Sequence, residues 1–223
     1  MNGEVEEKIG ILGGTFNPIH LGHMLIAENA YDQFHLDKVI FLPSGNPPHK
    51  KNIGYISAKD RANMVSLSIK NRKEFELSYE EIDREGTTYT SDTMERMTKE
   101  HPNVRYYFIL GADSLFTFDK WHRPDIICKC CTILVSCREE LKLRAVDERI
   151  KYLKEKFNAD VHRLTLPGFD VSSKLIRMRV GLNRSIKYLV NEDVEEYIKK
   201  QHLYENIDLN TLEPNSYEIE YRG

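Results

Sequence analysis

The sequence predicts an α/β fold: a doubly wound parallel sheet with helices on both faces and a small helical part at the C-terminus. Short apolar runs alternate with longer amphipathic stretches, which is typical of repeated strand–helix units. The first run, residues 9–12, is apolar throughout, as in a strand buried on both faces. Two glycines and an Asn17-Pro18 turn follow before a helical pattern begins. Strand, tight turn and helix therefore occur in the order of a mononucleotide-binding corner.

The remaining elements follow from the same alternation. Further strands are predicted at residues 38–42, 75–78, 105–110, 132–136 and 160–166. Helices are predicted at residues 21–34, 58–70 and 139–157, with others ending near residue 100 and opening at 171–177. Asn191 caps a last helix, with Glu192 and Asp193 in its first turn.

The composition is that of an ordinary globular protein. The chain has 223 residues, 40% of them hydrophobic and 30% charged, which is enough for one sizeable core. We expect a flexible N-terminus over residues 1–7, a single domain over 8–204 and a C-terminal tail over 205–223. Within that tail, residues 217–221 alternate with period two, which fits either disorder or a strand added to a sheet edge.

Charge and hydropathy exclude two classes of partner. The net charge of −3 leaves no general basic surface, so we expect no nucleic-acid partner. No apolar run approaches the roughly 18 residues of a membrane span, and the acidic residues 1–7 do not resemble a signal peptide. We therefore expect a cytoplasmic protein that binds small molecules. Whether it forms a homo-oligomer is left open by the sequence.

The corner after the first strand has the chemistry of a phosphate site. Gly13 and Gly14 allow backbone N–H groups to approach a phosphate closely, and a helix start favours negative charge. His20 and His23 lie three residues apart, so on a helix they share a face and point toward this corner. The glycine spacing fits neither the G-x-G-x-x-G fingerprint nor a Walker loop. A zinc site would need a third ligand, which the nearby sequence does not provide.

Polar groups also follow the later predicted strands, where ligands bind in open α/β sheets. Residues 47–51, Pro-Pro-His-Lys-Lys, carry positive charge after the second strand, and a solvated turn is the alternative. Asp113 suits a ribose hydroxyl, a metal-bound water or the N-cap of a short helix. Ser172, Ser173 and Arg177 form either an anion site or an ordinary capped helix start.

Three further features have two interpretations each. Residues 87–91 hold hydroxyls and a tyrosine before a helix, where they either cap it or present backbone amides to a carboxylate. Trp121 lies in a loop, where it either stacks on a heterocycle or only packs. The cysteines are spaced C-x-C-C without the usual zinc pairing, so we expect reduced thiols rather than a soft-metal site at Cys128, Cys130, Cys131 and Cys137.

Four separated motifs lie at successive strand ends: residues 13–23 with the H-x-G-H signature, Pro47-Pro48-His49-Lys50, Gly111-Ala112-Asp113, and Ser172-Ser173 with Arg177. In this order the chain resembles the bacterial nicotinate-nucleotide adenylyltransferases over roughly residues 8–200. Thr88-Tyr89-Thr90 and the segment from Leu115 through Trp121-His122 narrow the resemblance to that family. It implies a Rossmann-like fold that transfers the adenylyl group of ATP to nicotinate mononucleotide, giving deamido-NAD and pyrophosphate with Mg²⁺.

The resemblance also implies roles for individual residues. ATP contacts, by backbone or side chain, are implied for Gly13, Gly14, Thr15, Phe16, Asp113 and Arg138. The catalytic pair is His20 and His23, which stabilise charge on the ATP phosphates. The leaving pyrophosphate is held by Ser172, Ser173 and Arg177. The acceptor is bound by Lys50 at its phosphate and by Tyr89, Thr90 and Trp121 at its nicotinate ring. No residue is implied as a metal ligand.

Some alternatives stay open after the resemblance. The family often has Asp where this chain has Asn17, and Thr where this chain has Lys174. Nicotinamide mononucleotide or phosphopantetheine as acceptor, a cytidylyltransferase, a class I aminoacyl-tRNA synthetase and a non-catalytic nucleotide sensor are the competing interpretations. The preference for nicotinate over nicotinamide cannot be derived from the sequence, because backbone amides that any residue supplies read the carboxylate.

Overall fold

The structure is a computed structural model that describes residues 7–45, 56–137 and 143–207. Its strands are β1 (Glu7–Gly14), β2 (Lys38–Pro43), β3 (Phe75–Leu77), β4 (Val104–Gly111), β5 (Cys131–Ser136) and β6 (Val161–Leu164). Its α-helices are α1 (Leu21–Phe34), α2 (Ala58–Ile69), α3 (Thr90–Glu100), α4 (Ala112–Thr117), α5 (Pro124–Cys130), α6 (Leu143–Phe157), α7 (Ser173–Gly181) and α8 (Glu192–Lys200). A 3₁₀ turn, Phe118–Lys120, follows α4.

The strands form one parallel sheet in the order β3-β2-β1-β4-β5-β6. The order reverses between β1 and β4, and ligands of doubly wound sheets bind outside the carboxyl ends of the strands at such a switch point. Leu12 of β1 is level with Phe41 of β2 and Ile109 of β4. The three strands therefore end at the same edge, which brings the loops after them together.

The sheet has an apolar core on each face. Successive side chains of a strand point to opposite faces, so neighbours such as Ile11 and Leu12 enter different cores. Leu12 belongs to a core closed by helices α1, α2, α7 and α8. Ile11 belongs to the opposite core, closed by α3, α4, α5 and α6. Strand β5 is buried along its whole length, as expected of a central strand covered on both sides.

These observations confirm the predicted fold class, including helices on both faces and the C-terminal helices α7 and α8. Helix α1 has the predicted bounds, and each predicted strand is present within a few residues. Helix α5 was not predicted, because its seven residues are too few to show a helical period. The domain boundaries at 8 and 204 stay a prediction; Glu7 already lies in β1, and Ile207 packs against the first core. The strand considered for residues 217–221 lies outside the described residues.

None of the helices in the described ranges is long and apolar enough to cross a membrane.

Candidate active site

A cavity of about 360 Å³ opens at the switch point of the sheet. Its walls come from the ends of β1, β2 and β4, from the start of α3 and from the loop after the 3₁₀ turn. The sequence-predicted site residues on its walls are Gly13, Gly14, Thr15, Tyr89, Thr90 and Trp121. The structure therefore brings the corner after β1 and the predicted nicotinate residues into one space.

The two histidines lie at the start of α1 and are not among the residues that line the cavity. His20 is the N-cap residue, with φ −148° and ψ 169°, and His23 is the third residue of the helix. His20 thus directly precedes the helix, as the predicted bounds 21–34 place it, and only His23 lies within the helix. Their rings nevertheless face each other, with centroids 3.7 Å apart, and the Phe16 ring meets His23 edge-on at 5.1 Å. The N-cap conformation turns His20 back over the helix start.

A backbone hydrogen bond sets the proton position of His23. Its Nδ1 accepts from the His20 N–H at 3.2 Å. A ring nitrogen that accepts carries no proton, so neutral His23 holds its proton on Nε2. Nε2 is thereby a donor, which suits an anionic oxygen rather than a cation.

The predicted anion clamp contacts the corner itself. Ser172 is the N-cap of α7, and its Oγ accepts from the Leu175 N–H at 3.1 Å, as the capping interpretation expects. Ser173 Oγ donates to the Pro18 carbonyl at 2.7 Å, and Arg177 Nη1 donates to the Asn17 carbonyl at 2.7 Å. The start of α7 therefore lies against the corner that precedes α1.

Tyr204, which follows α8, also contacts the corner. Tyr204, which is buried, donates its hydroxyl to Asn17 Oδ1 at 2.8 Å. Burial raises the pKa of that hydroxyl, so it stays protonated and remains a donor. The departure from the family at Asn17 thus has a partner more than 180 residues away, for which the sequence offers no signal.

An aromatic wall forms the side of the cavity next to α3. The rings of Tyr89 and His122 stack with centroids 4.2 Å apart. Trp121 packs against Phe118 at 5.4 Å while still lining the cavity, so packing and exposure to a ligand both apply to it. Tyr89 is the N-cap of α3 and makes no side-chain capping bond, so the capping interpretation does not hold for the Tyr89 side chain.

His122 also lines the cavity, although no role was predicted for it apart from its place in the Trp121-His122 motif. Ser91, in the first turn of α3, is fully buried; its Oγ lies 3.1 Å from His122 Nδ1 and donates to Asp92 Oδ1 at 3.2 Å. Which group donates between Ser91 Oγ and His122 Nδ1 depends on the tautomer of His122. This chain of polar contacts fixes the ring that supports Tyr89.

A buried carboxyl, Glu81, also lines the cavity. It accepts from the hydroxyls of Thr93 at 3.1 Å and Thr88 at 3.5 Å. Burial raises the pKa of this carboxyl, and the threonine hydroxyls oppose that shift only in part. Ser44 Oγ is buried near the same space and has no hydrogen-bond partner within the described part of the chain. Neither residue belongs to a motif with a recognisable spacing.

Asp113 is not among the residues that line the cavity. Asp113 lies within the first turn of α4, whose N-cap is Gly111, so the N-cap interpretation of Asp113 is wrong. Its neighbours Gly111 and Ser114 line the cavity. Lys50 and Arg138 lie outside the described residues.

The cysteines are free. Burial raises the pKa of Cys128 to about 11 and also raises the pKa values of Cys130 and Cys131. These thiols are therefore protonated and weakly nucleophilic at neutral pH. In the part of the chain that the structure describes, no three His, Cys, Asp or Glu side chains gather into a cation site.

The fold and the corner define a nucleotide-binding α/β protein, and comparison with known proteins narrows this class. A model of the cytidylyltransferase-like family matches residues 11–179. A probable nicotinate-nucleotide adenylyltransferase from Lachnoclostridium phytofermentans is 42% identical over 88% of this chain and 98% of its own length. Its counterpart from a Thermoanaerobacter species is 40% identical over 93% of this chain and 99% of its own length.

Solved structures agree on the fold. The nicotinic acid mononucleotide adenylyltransferase of Plasmodium falciparum, in complex with NaAD, superposes with a TM-score of 0.74 at 19% identity, covering 90% of this chain and 98% of that one. The chain therefore belongs to the cytidylyltransferase-like family and, within it, to the nicotinate-nucleotide adenylyltransferases.

Proposed function

We propose that this protein transfers the adenylyl group of ATP to nicotinate mononucleotide, giving deamido-NAD and pyrophosphate. The observation that carries the proposal is the shared cavity at the switch point. Gly13, Gly14 and Thr15 on one side suit phosphates, whereas Tyr89 and Trp121 on the other suit a flat aromatic ring. The relatives at about 40% identity bear the name of this activity.

The chemistry needs no general base and no covalent enzyme intermediate. The acceptor phosphate is already ionised, so one of its oxygens attacks the α-phosphorus of ATP directly. A new P–O bond forms there while the bond to the leaving pyrophosphate breaks. Catalysis then rests on in-line positioning and on relief of developing charge.

The corner supplies the donors for that charge. Backbone groups of residues 13–16 hold the ATP phosphates; Phe16 takes part only through its backbone, because its ring is buried. His23 donates from Nε2, and His20 lies against it at the helix start. Ser172, Ser173 and Arg177 act on the pyrophosphate side, where the start of α7 meets the corner.

The acceptor is held on the opposite side of the cavity. Tyr89 and Trp121 face the nicotinate ring, and Thr90 begins α3, where the start of a helix suits the carboxylate. Lys50 is proposed for the acceptor phosphate. Asp113 and Arg138 are proposed for the nucleotide side.

Mg²⁺ is proposed as the metal that accompanies ATP. This ion retains several waters and usually takes one or two carboxylates together with substrate phosphates. Asp113, next in the chain to the cavity-lining Ser114, is one carboxylate suited to such an ion, and the buried Glu81 on the cavity wall is a second carboxyl. Bound in this way, it would neutralise phosphate charge.

We also propose a cytoplasmic enzyme whose partners are these small molecules, without nucleic acid. The experiment that tests the function measures pyrophosphate release from ATP and Mg²⁺ with nicotinate mononucleotide, nicotinamide mononucleotide or phosphopantetheine supplied separately. A strong preference for the first supports the proposal. Equal use of both pyridine nucleotides would keep the chemistry but reject the specificity, and turnover with none would reject the function.

A further inference from the structure

Arg61 of helix α2 is a fully buried arginine next to the active site. Arginine is almost never buried completely unless its guanidinium is satisfied. Here Nη1 donates to the Thr15 carbonyl at 2.8 Å, and Nη2 donates to the carbonyls of Ser44 at 2.6 Å and Gly45 at 3.2 Å. All three acceptors are backbone oxygens, so the side chain acts on the path of the main chain.

The three carbonyls belong to two different loops. Thr15 follows β1 and belongs to the corner proposed for the ATP phosphates, whereas Ser44 and Gly45 follow β2 and lead into residues 46–55. Thr15 and Ser44 both line the cavity. A backbone bond from the Ser44 N–H to the Gly14 carbonyl, at 2.9 Å, also joins the two loops. Arg61 therefore ties the nucleotide side to the start of the segment that carries Lys50.

Close packing holds the second loop on its other side. A Cβ at Gly45 would lie 2.0 Å from the backbone oxygen of Glu81, so only glycine permits this approach. The loop is thus confined between Arg61 and the segment before α3. A shift of the guanidinium would be transmitted to the loop.

Helix α2 holds Arg61 in place. Its N-cap Ser57 accepts from the Asp60 N–H at 3.0 Å. Tyr197 of α8 donates its hydroxyl to Asp60 Oδ1 at 2.8 Å and accepts from Asn63 Nδ2 at 2.9 Å. The helix turn that carries Arg61 is therefore fixed on both sides of this residue, and functional groups supported in this way keep their geometry.

We propose that Arg61 is a positioning residue that aligns the two substrates of the reaction. This inference rests on the proposed function, in which ATP contacts the loop after β1 and the acceptor phosphate contacts the loop after β2. In-line attack requires both loops at a fixed separation, and the planar fork of the guanidinium can hold carbonyls of both at once. A lysine in its place has a single nitrogen and cannot span both loops in the same geometry.

The test compares three variants. Arg61→Met removes the donors while keeping a long apolar stem, and Arg61→Lys keeps the charge without the fork. Met64→Ala is the matched control, because Met64 is fully buried on the same helix but packs in the core behind the site. Kinetics are measured at a temperature where all variants are folded.

The expected result is a loss of turnover rather than of binding. Misplacement by about 1 Å costs about 10²-fold in rate, so kcat of Arg61→Met should fall by about that factor, with both KM values changed less than about 3-fold. Arg61→Lys should retain an intermediate kcat. Met64→Ala should lower the melting temperature while kcat stays within about 3-fold of the parent. A normal kcat in both Arg61 variants, or an equal loss in Met64→Ala, would overturn the proposal.

Amide exchange separates this inference from the proposed function. The Ser44 N–H, bonded across the two loops, should exchange faster in the folded Arg61→Lys variant than in Met64→Ala, whatever reaction the enzyme catalyses. Equal exchange rates would overturn the positioning role. If the parent releases no pyrophosphate while the exchange difference is present, the proposed function fails and the loop-clamping role of Arg61 stands.

Discussion

Replacing Gly22 with alanine is expected to slow the reaction without weakening the fold. Gly22 is the glycine of the H-x-G-H signature and lies in the first turn of α1. A Cβ at this position would lie 3.0 Å from Nδ1 and 3.1 Å from Cε1 of the His20 ring. Both separations are shorter than ordinary van der Waals contact, so the ring must move by a few tenths of an ångström.

The packing around His20 determines the size of the effect. His20 is 3% exposed and its ring faces that of His23 with centroids 3.7 Å apart, so any movement disturbs both of the histidines proposed as catalytic. Since about 1 Å of misplacement costs about 10²-fold, this smaller shift should lower kcat by about 3- to 10-fold. Alanine has a helix propensity about 1 kcal/mol better than glycine, so the free energy of unfolding should stay level or rise.

The assay pairs pyrophosphate release with thermal unfolding in the same buffer. Gly168→Ala is the control, because nothing lies within 4 Å of a Cβ at that position, and its kcat should equal that of the parent. A Gly22→Ala enzyme with parental kcat would refute the claim that close packing at this glycine sets the position of His20.

Two further predictions concern the wall of the cavity. Ser91→Ala removes the hydroxyl that holds His122 behind Tyr89, so KM for nicotinate mononucleotide should rise about 5-fold, equivalent to one hydrogen bond of about 1 kcal/mol, while KM for ATP stays constant. The raised pKa of Glu81 means that the folded protein keeps this proton to higher pH than the unfolded chain, whose carboxyl has an ordinary pKa of 4.5. The contribution of Glu81 to the free energy of unfolding is therefore present at low pH and lost as pH rises. The melting temperature of Glu81→Gln should consequently rise relative to that of the parent between about pH 4 and pH 7. A difference between the two melting temperatures that does not change with pH would contradict this prediction.

Local patterns were sufficient to predict most of the fold. Helix α1 has an apolar face of regular period and a clear start, and its predicted bounds match the structure. The corner was predicted because its residues are contiguous, from Gly13 to His23. The predicted bounds leave His20 immediately before α1, but the sequence does not show its backbone angles or the approach of its ring to that of His23.

The supporting contacts could not be predicted because they join residues far apart in the chain. Arg61 lies in an ordinary amphipathic helix, and nothing in its neighbourhood indicates that it binds carbonyls 16 to 46 residues away. Tyr204 reaches Asn17 from the far end of the chain. Helix α5 is too short for periodicity to show. Such contacts between distant residues depend on how the strands and helices are arranged in three dimensions, and no local pattern in a single sequence indicates them.

The catalytic role of the corner is tested most directly by His20→Ala with ATP, Mg²⁺ and nicotinate mononucleotide at saturation. Loss of a donor that stabilises developing charge typically costs about 10²-fold or more, so kcat should fall by at least that factor while the melting temperature shows an intact fold. Near-normal turnover in a folded His20→Ala enzyme would contradict the assignment of adenylyl transfer to this corner.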